Sequence, residues 1–160
     1  MRRIEEEIGR QLKKRKASVS VAESCTGGLI AHRLTNISGS SDYFDSAVVS
    51  YSNRAKIDLL GVSPSLITQH GPVSEPVARA MAEGIRRQRQ TTIGLATTGL
   101  AGPLGATPEI PIGTVYIALA SADGTVVRRF SFPGDREDIK RHAADTGLEM
   151  ILAYVADLEA

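Results

Sequence analysis

Ser24 stands in the run Ala22-Glu23-Ser24-Cys25-Thr26-Gly27-Gly28. An alternating, β-branched stretch (18–22) precedes it, and Leu29, Ile30, Leu34 and Ile37 follow at helical spacing. A strand, a glycine-containing turn and a helix put a serine hydroxyl at the carboxyl edge of a sheet, where open α/β folds hold ligands. Gly27 and Gly28 let the backbone approach a bound group closely. The N–H groups of Cys25, Thr26, Gly27 and Gly28 at the helix start suit an anion or a developing oxyanion. The pattern is similar to a nucleophile elbow but lacks Gly-x-Ser-x-Gly, and a tight turn with a capping hydroxyl has the same residues. Cys25, the one cysteine, is expected as a buried, inert thiol.

A serine nucleophile needs a base. Of the three histidines, His32 and His142 fall in helical segments, and His70 precedes Gly71-Pro72 in a loop from which it could reach a site. No Ser/His/Asp order is evident. A lysine whose pKa is lowered by burial is the alternative base. Lys56 lies one helical turn past the strand end at Tyr51, so Tyr51 and Lys56 can meet Ser24 at one sheet edge; a solvated helix lysine fits the same spacing. The segment 97–108, with Thr98, Gly99 and Gly102, leaves a further strand end and is too rich in Gly and Pro for a helix. It is not a P-loop, since no Gly-Lys-Ser/Thr closes it. Arg136, after Gly134-Asp135, starts the last helix and is a candidate for an anionic group. Arg141 reads either as another such candidate or as a surface partner of Glu137 at i, i+4.

These residues must be carried by an α/β frame. The expected order is α-β-α-β-α-α-β-β-β-α. Helices cover 2–16, the segment after Gly28, and 52–60; a short one lies near Leu66-Ile67, another follows Ser74, and a last helix is capped by Asp135. Strands are expected at 18–22, 47–51, 93–96, 112–121 and 125–132, the last two joined through Asp123-Gly124. Gly39 to Asp42 and residues 98–111 are expected as loops. Strands separated by helices pair in parallel and the hairpin does not. The fold class is therefore a three-layer α/β/α sandwich with a mixed, mostly parallel sheet, and residues 1–160 form one domain.

Composition narrows the function. The 160 residues carry 19 Lys plus Arg against 18 Asp plus Glu, for a net charge of +1. That argues against nucleic acid as a partner, and the run Lys13 to Lys16 reads as a solvated helix end complementing the dipole. One cysteine excludes an internal disulfide and a multi-cysteine metal site. No apolar run approaches the roughly 18 residues of a membrane span. Glu5-Glu6-Glu7 occupies the place of a signal peptide's apolar stretch, so a cytoplasmic location is expected, with no membrane partner.

Six motifs occur in order: 22–28; Tyr51-Ser52-Asn53 with Lys56; His70-Gly71-Pro72-Val73-Ser74; Thr98-Gly99-Leu100-Ala101-Gly102-Pro103; Pro111-Ile112-Gly113-Thr114-Val115; and Gly134-Asp135-Arg136. From about residue 4 to 156 the chain resembles the CinA C-terminal domain family, the nicotinamide-nucleotide amidases also called PncC. The resemblance implies hydrolysis of nicotinamide mononucleotide to nicotinate mononucleotide and ammonia in pyridine-nucleotide salvage. It implies a Ser/Tyr/Lys mechanism with Ser24 as nucleophile and Tyr51 and Lys56 as the proton-handling pair. It implies no cofactor, no metal and a homo-oligomer, with a small anionic amide as the partner molecule. Some members carry an extra N-terminal domain with a metal-dependent pyrophosphatase activity, which is not carried over to this chain.

The departures concern the glycine-rich loop. Leu104 and Ala106 replace polar or glycine positions, Asp45-Ser46-Ala47 lacks a glycine often found there, and Ile110 stands where many members have lysine. They keep two alternatives open: a related amidase with another substrate, and a pyridine-nucleotide-binding module with little or no turnover.

Overall fold

A computed structural model describes residues 1–159. Its element order is α1 (Ile4–Arg15), β1 (Val19–Glu23), α2 (Leu29–Thr35), a 3-10 turn (Ser40–Asp42), β2 (Phe44–Val49), α3 (Asn53–Leu60), α4 (Pro64–His70), α5 (Glu75–Arg89), β3 (Ile93–Gly99), β4 (Thr114–Ser121), β5 (Gly124–Ser131) and α6 (Arg136–Asp157). The five strands form one sheet in the order β2-β1-β3-β4-β5. β1 pairs in parallel with β2 and β3, while β4 runs antiparallel to both β3 and β5. Four strands thus share a direction, and the sheet is mixed and mostly parallel as expected.

Helices cover both faces. Ile8, Leu12, Ile30, Leu34, Leu148 and Ile151 of α1, α2 and α6 pack on Val19, Val21, Ile93, Leu95 and Ile117. On the other face, Leu60 of α3 and Val77, Met81 and Ile85 of α5 lie over Ala22, Ala96, Ala118 and Ala120. Small residues here let α5 come close. A Cβ at Gly84 would stand 2.1 Å from the Leu60 carbonyl oxygen, and one at Gly94 would stand 2.4 Å from that of Ala82. The Arg-rich end of α5 and the basic end of α1 sit outside this core. Within the latter, Lys13 pairs with Asp42 at 3.1 Å and Arg15 donates to the Leu158 carbonyl at 2.7 Å.

The caps lie where the sequence places them. Ser52 accepts from the Ala55 N–H at 3.0 Å, and Asp135 and Asp138 form a reciprocal capping box. Four expectations shift. β2 ends at Val49, so Tyr51 belongs to the link into α3 and not to a strand. β3 runs to Gly99, so Thr97 and Thr98 are strand residues held in register with Ile117 and Tyr116 of β4. The β4–β5 turn is Ala122-Asp123, and Gly124 already pairs with Ser121. The 3-10 turn replaces the first expected loop.

The carboxyl ends of β1, β2 and β3 meet at one edge. Here the chain leaves β1 toward β2 on one side while β3 lies on the other, the switch point at which open α/β sheets form a crevice. Two bonds carry the register past the strands: Ser24 N–H to Thr97 O at 3.1 Å and Ser50 N–H to Glu23 O at 2.8 Å. No helix among the described residues is long and apolar enough to cross a membrane.

Candidate active site

Ser24 follows the last residue of β1 and is 7% exposed. Its turn is built by Glu23. The buried Glu23 carboxylate accepts from the Thr26 hydroxyl at 2.6 Å and from the Ile30 and Ala31 N–H groups at 3.0 and 3.1 Å. Those amides belong to the first turn of α2, whose N-cap Gly28 offers no side chain. Glu23 therefore does the capping from seven residues away, as a charge at the positive end of the helix. The Thr26 and Thr97 hydroxyls lie 2.9 Å apart. With the Thr26 proton given to Glu23, Thr97 is the donor in that pair. Gly27 (φ 60°) and Gly28 (φ 100°) complete the reversal in the left-handed region.

Lys56 reaches this turn from α3. It is 2% exposed, and its Nζ lies 3.0 Å from Ser24 Oγ, 2.9 Å from the Ser50 carbonyl oxygen and 3.4 Å from that of Tyr51. Burial pushes its pKa below the ordinary lysine value of 10.5, against a smaller opposing effect of Cys25. A neutral amine has two N–H donors and one lone pair. In that form the two carbonyls can take the donors and the lone pair can take the Ser24 proton; as an ammonium, Lys56 donates to all three oxygens. Cys25 is buried, and burial pushes its thiol up to about 12, so it is a neutral, enclosed thiol as the sequence indicates.

Tyr51 and Arg136 form the outer wall. Tyr51 is 59% exposed, and its hydroxyl accepts from Arg136 Nη2 at 2.7 Å. Arg136 Nη1 donates to the Gly102 carbonyl, also at 2.7 Å. The hydroxyl of Tyr51 is thus engaged by Arg136. Lys56 meets Ser24 directly, while Tyr51 gives Lys56 a carbonyl and gives Arg136 a phenol. Arg136 is likewise committed to its protein partners.

Ser24, Cys25, Tyr51, Lys56, Thr98, Gly99 and Arg136 line one pocket of ≈ 190 Å³, together with Asn53, Pro72, Val73, Leu100 and Ala101. Thr98 also ties the wall together, its hydroxyl donating to the Pro72 carbonyl at 2.7 Å. Thr26, Gly27, Gly28 and Gly102 lie behind or beside this lining. The Gly27 N–H is spent on the Ser24 carbonyl at 3.0 Å, which takes one of the four expected oxyanion donors out of play. His70 is exposed at the end of α4 and His32 is exposed on α2, while His142 stacks on Phe132; none lines the pocket. Arg141 pairs with Asp138, not with Glu137. Among the described residues no cluster of three His, Cys, Asp or Glu side chains could hold a metal ion.

Glu23, Asn53, Pro72 and Val73 were not singled out from the sequence as site residues. All four stand inside the six motifs that carry the family resemblance. The role of Glu23 was hidden because it is local in sequence but acts through a helix start seven residues on.

A three-layer α/β/α sandwich with a Ser–Lys pair at its switch point defines the class. The chain matches the CinA C-terminal domain over residues 1–155 and belongs to that family. It is 51% identical over 154 residues to a CinA-like protein of Syntrophus aciditrophicus, covering 96% of this chain and 37% of that one. A CinA-like protein of Koribacter versatilis is 50% identical over 148 residues, covering 92% and 36%. The chain thus spans little more than a third of these curated relatives. Among solved structures, the competence damage-inducible protein A of Klebsiella pneumoniae superposes with a TM-score of 0.93 at 31% identity, covering 98% of this chain and 97% of that one. The competence/damage inducible protein CihA of Agrobacterium tumefaciens gives 0.89 at 39% identity, with 94% of each chain covered.

Proposed function

We propose that the chain is a serine amidohydrolase that converts nicotinamide mononucleotide and water into nicotinate mononucleotide and ammonia. The observation that carries this is the 3.0 Å contact between Ser24 Oγ and a buried Lys56 whose other two nitrogen contacts are carbonyls. The family resemblance supplies the substrate; the pair supplies the chemistry. Neutral Lys56 takes the Ser24 proton as Oγ adds to the carboxamide carbon. The oxyanion is placed toward the N–H groups of Cys25 and Thr26. Lys56 returns its proton to the departing nitrogen, which leaves as ammonia. Water then adds to the acyl-enzyme with Lys56 again as base, and Ser24 recovers its proton. No step calls on a metal or cofactor.

The pocket of ≈ 190 Å³ is smaller than the roughly 300–1,000 Å³ usual for small-molecule sites. It suits the carboxamide ring, with the ribose phosphate outside. Leu104 is 83% exposed and Ala106 is exposed too, and neither lines the pocket. Their departure from the family pattern leaves the Ser–Lys pair untouched.

The test is ammonia release from nicotinamide mononucleotide with a chelator present. Wild type is expected to turn over, and Ser24→Ala is expected to lose activity at least a thousandfold with an unchanged melting temperature. Binding without turnover by folded wild type would replace this reading with a nucleotide-binding module.

A further inference from the structure

If the carboxamide is held at Ser24, the phosphate of the same molecule must be met outside the pocket. Arg136 lines the pocket beside Lys56, and both of its terminal nitrogens already have protein acceptors. About one turn further along α6, roughly 6 Å on the helix axis, stands Lys140. It projects over the nucleophile turn: a Cβ built on Gly27 would lie 3.5 Å from its Nζ. Gly27 itself is exposed, so the ammonium hangs over the solvent side of the turn that carries Ser24.

Lys140 lines a second cavity of ≈ 490 Å³ between α2 and α6, with Leu29, Arg33, Glu137, Arg141 and Asp145. The two arginines are neutralised in place: Arg33 by Glu5 at 2.6 Å and by Asp145, and Arg141 by Asp138. Among the described residues no carboxylate comes within ion-pair distance of Lys140. Glu137 shares the cavity but does not reach Lys140, and its charge opposes an incoming anion.

We propose that Lys140 is the residue that recognises the phosphate of the mononucleotide, in the cavity between α2 and α6, with Glu137 as the group that limits its affinity. This rests on the amidase reading above. The ring then lies in the Ser24 pocket, the ribose passes Arg136, and the phosphate sits beside Gly27. Lys140 is a specificity-determining residue, since it touches a part of the substrate that does not react.

The experiment compares kcat/KM for nicotinamide mononucleotide with that for nicotinamide riboside, the same amide without the phosphate. Lys140→Gln is expected to lower the mononucleotide-to-riboside ratio about tenfold or more, the scale of a lost charge-assisted contact. Glu137→Gln is expected to raise that ratio about two- to threefold. A ratio unmoved by Lys140→Gln, or lowered by Glu137→Gln, overturns the assignment. If wild type hydrolyses neither compound, the amidase reading fails by itself. The phosphate assignment is then read by calorimetry of the same two compounds, where Lys140→Gln must weaken the mononucleotide selectively or the assignment is wrong.

Discussion

Lys56 is a costly side chain to keep where it is, at 2% exposure. It gives up hydration for one hydroxyl and two carbonyls, and no carboxylate within ion-pair distance repays the charge. Its lowered pKa has two consequences with a definite sign. Catalysis needs the neutral amine, so kcat/KM should rise with pH along a limb whose midpoint lies below 10.5. A midpoint at or above that value would take Lys56 out of the base role. For stability, the unfolded chain binds more protons than the folded one between the lowered pKa and 10.5. Lys56 therefore makes stability rise with pH across that window and fall as pH drops through it. Lys56→Met should cut activity at least a thousandfold. It should also raise the melting temperature at neutral pH by a few degrees and flatten that pH dependence. A variant less stable than wild type would show that the amine holds the fold together instead of straining it.

The elements around the site are held by contacts that leave little freedom. Glu23 ties β1 to α2 through two amides and a hydroxyl, so Glu23→Ala strands two buried donors, Thr26 Oγ1 and the Ile30 N–H, at about 1–3 kcal/mol each, and a part-buried one at Ala31. Glu23→Gln keeps one good acceptor oxygen but turns an NH₂ toward a donor. Thermal melts and kcat measured together should rank wild type above Gln and Gln above Ala in both; equal kcat in all three would make Glu23 a fold residue with no hold on Ser24. At the opposite face, α5 has no slack. Gly84→Ala drives a Cβ into the Leu60 carbonyl, which cannot rotate away as a side chain would. Overpacking of that kind costs about 1–3 kcal/mol, or roughly 2–4 °C in melting temperature per kcal/mol at this size. Because Leu60 ends the helix that carries Lys56, a shift there should also reduce activity. An unperturbed melt would mean that α5 is free to move outward.

Over the whole molecule, legibility follows the range of the interaction. The turn at Ser24 could be read because a strand, two glycines and a helix are contiguous, and the Ser52 and Asp135 caps could be read for the same reason. The burial of Lys56 could not, since it depends on carbonyls at the end of β2 and on a register set by β1. The Tyr51–Arg136 contact spans 85 positions and exists only because α6 starts at the edge where β1 to β3 end. Cys25 reports on this long-range assembly. It belongs to the main core, is 5% exposed, and has its thiol pushed up to about 12. Alkylation therefore requires both exposure and a return to an ordinary thiol pKa. If the nucleophile turn opens only with the core, the labelling rate in native buffer should track global stability. It should slow in Lys56→Met and quicken in Gly84→Ala in proportion to their shifts in unfolding free energy. Labelling that is fast in wild type and indifferent to both variants would instead show that the turn opens locally, with the sheet still intact behind it.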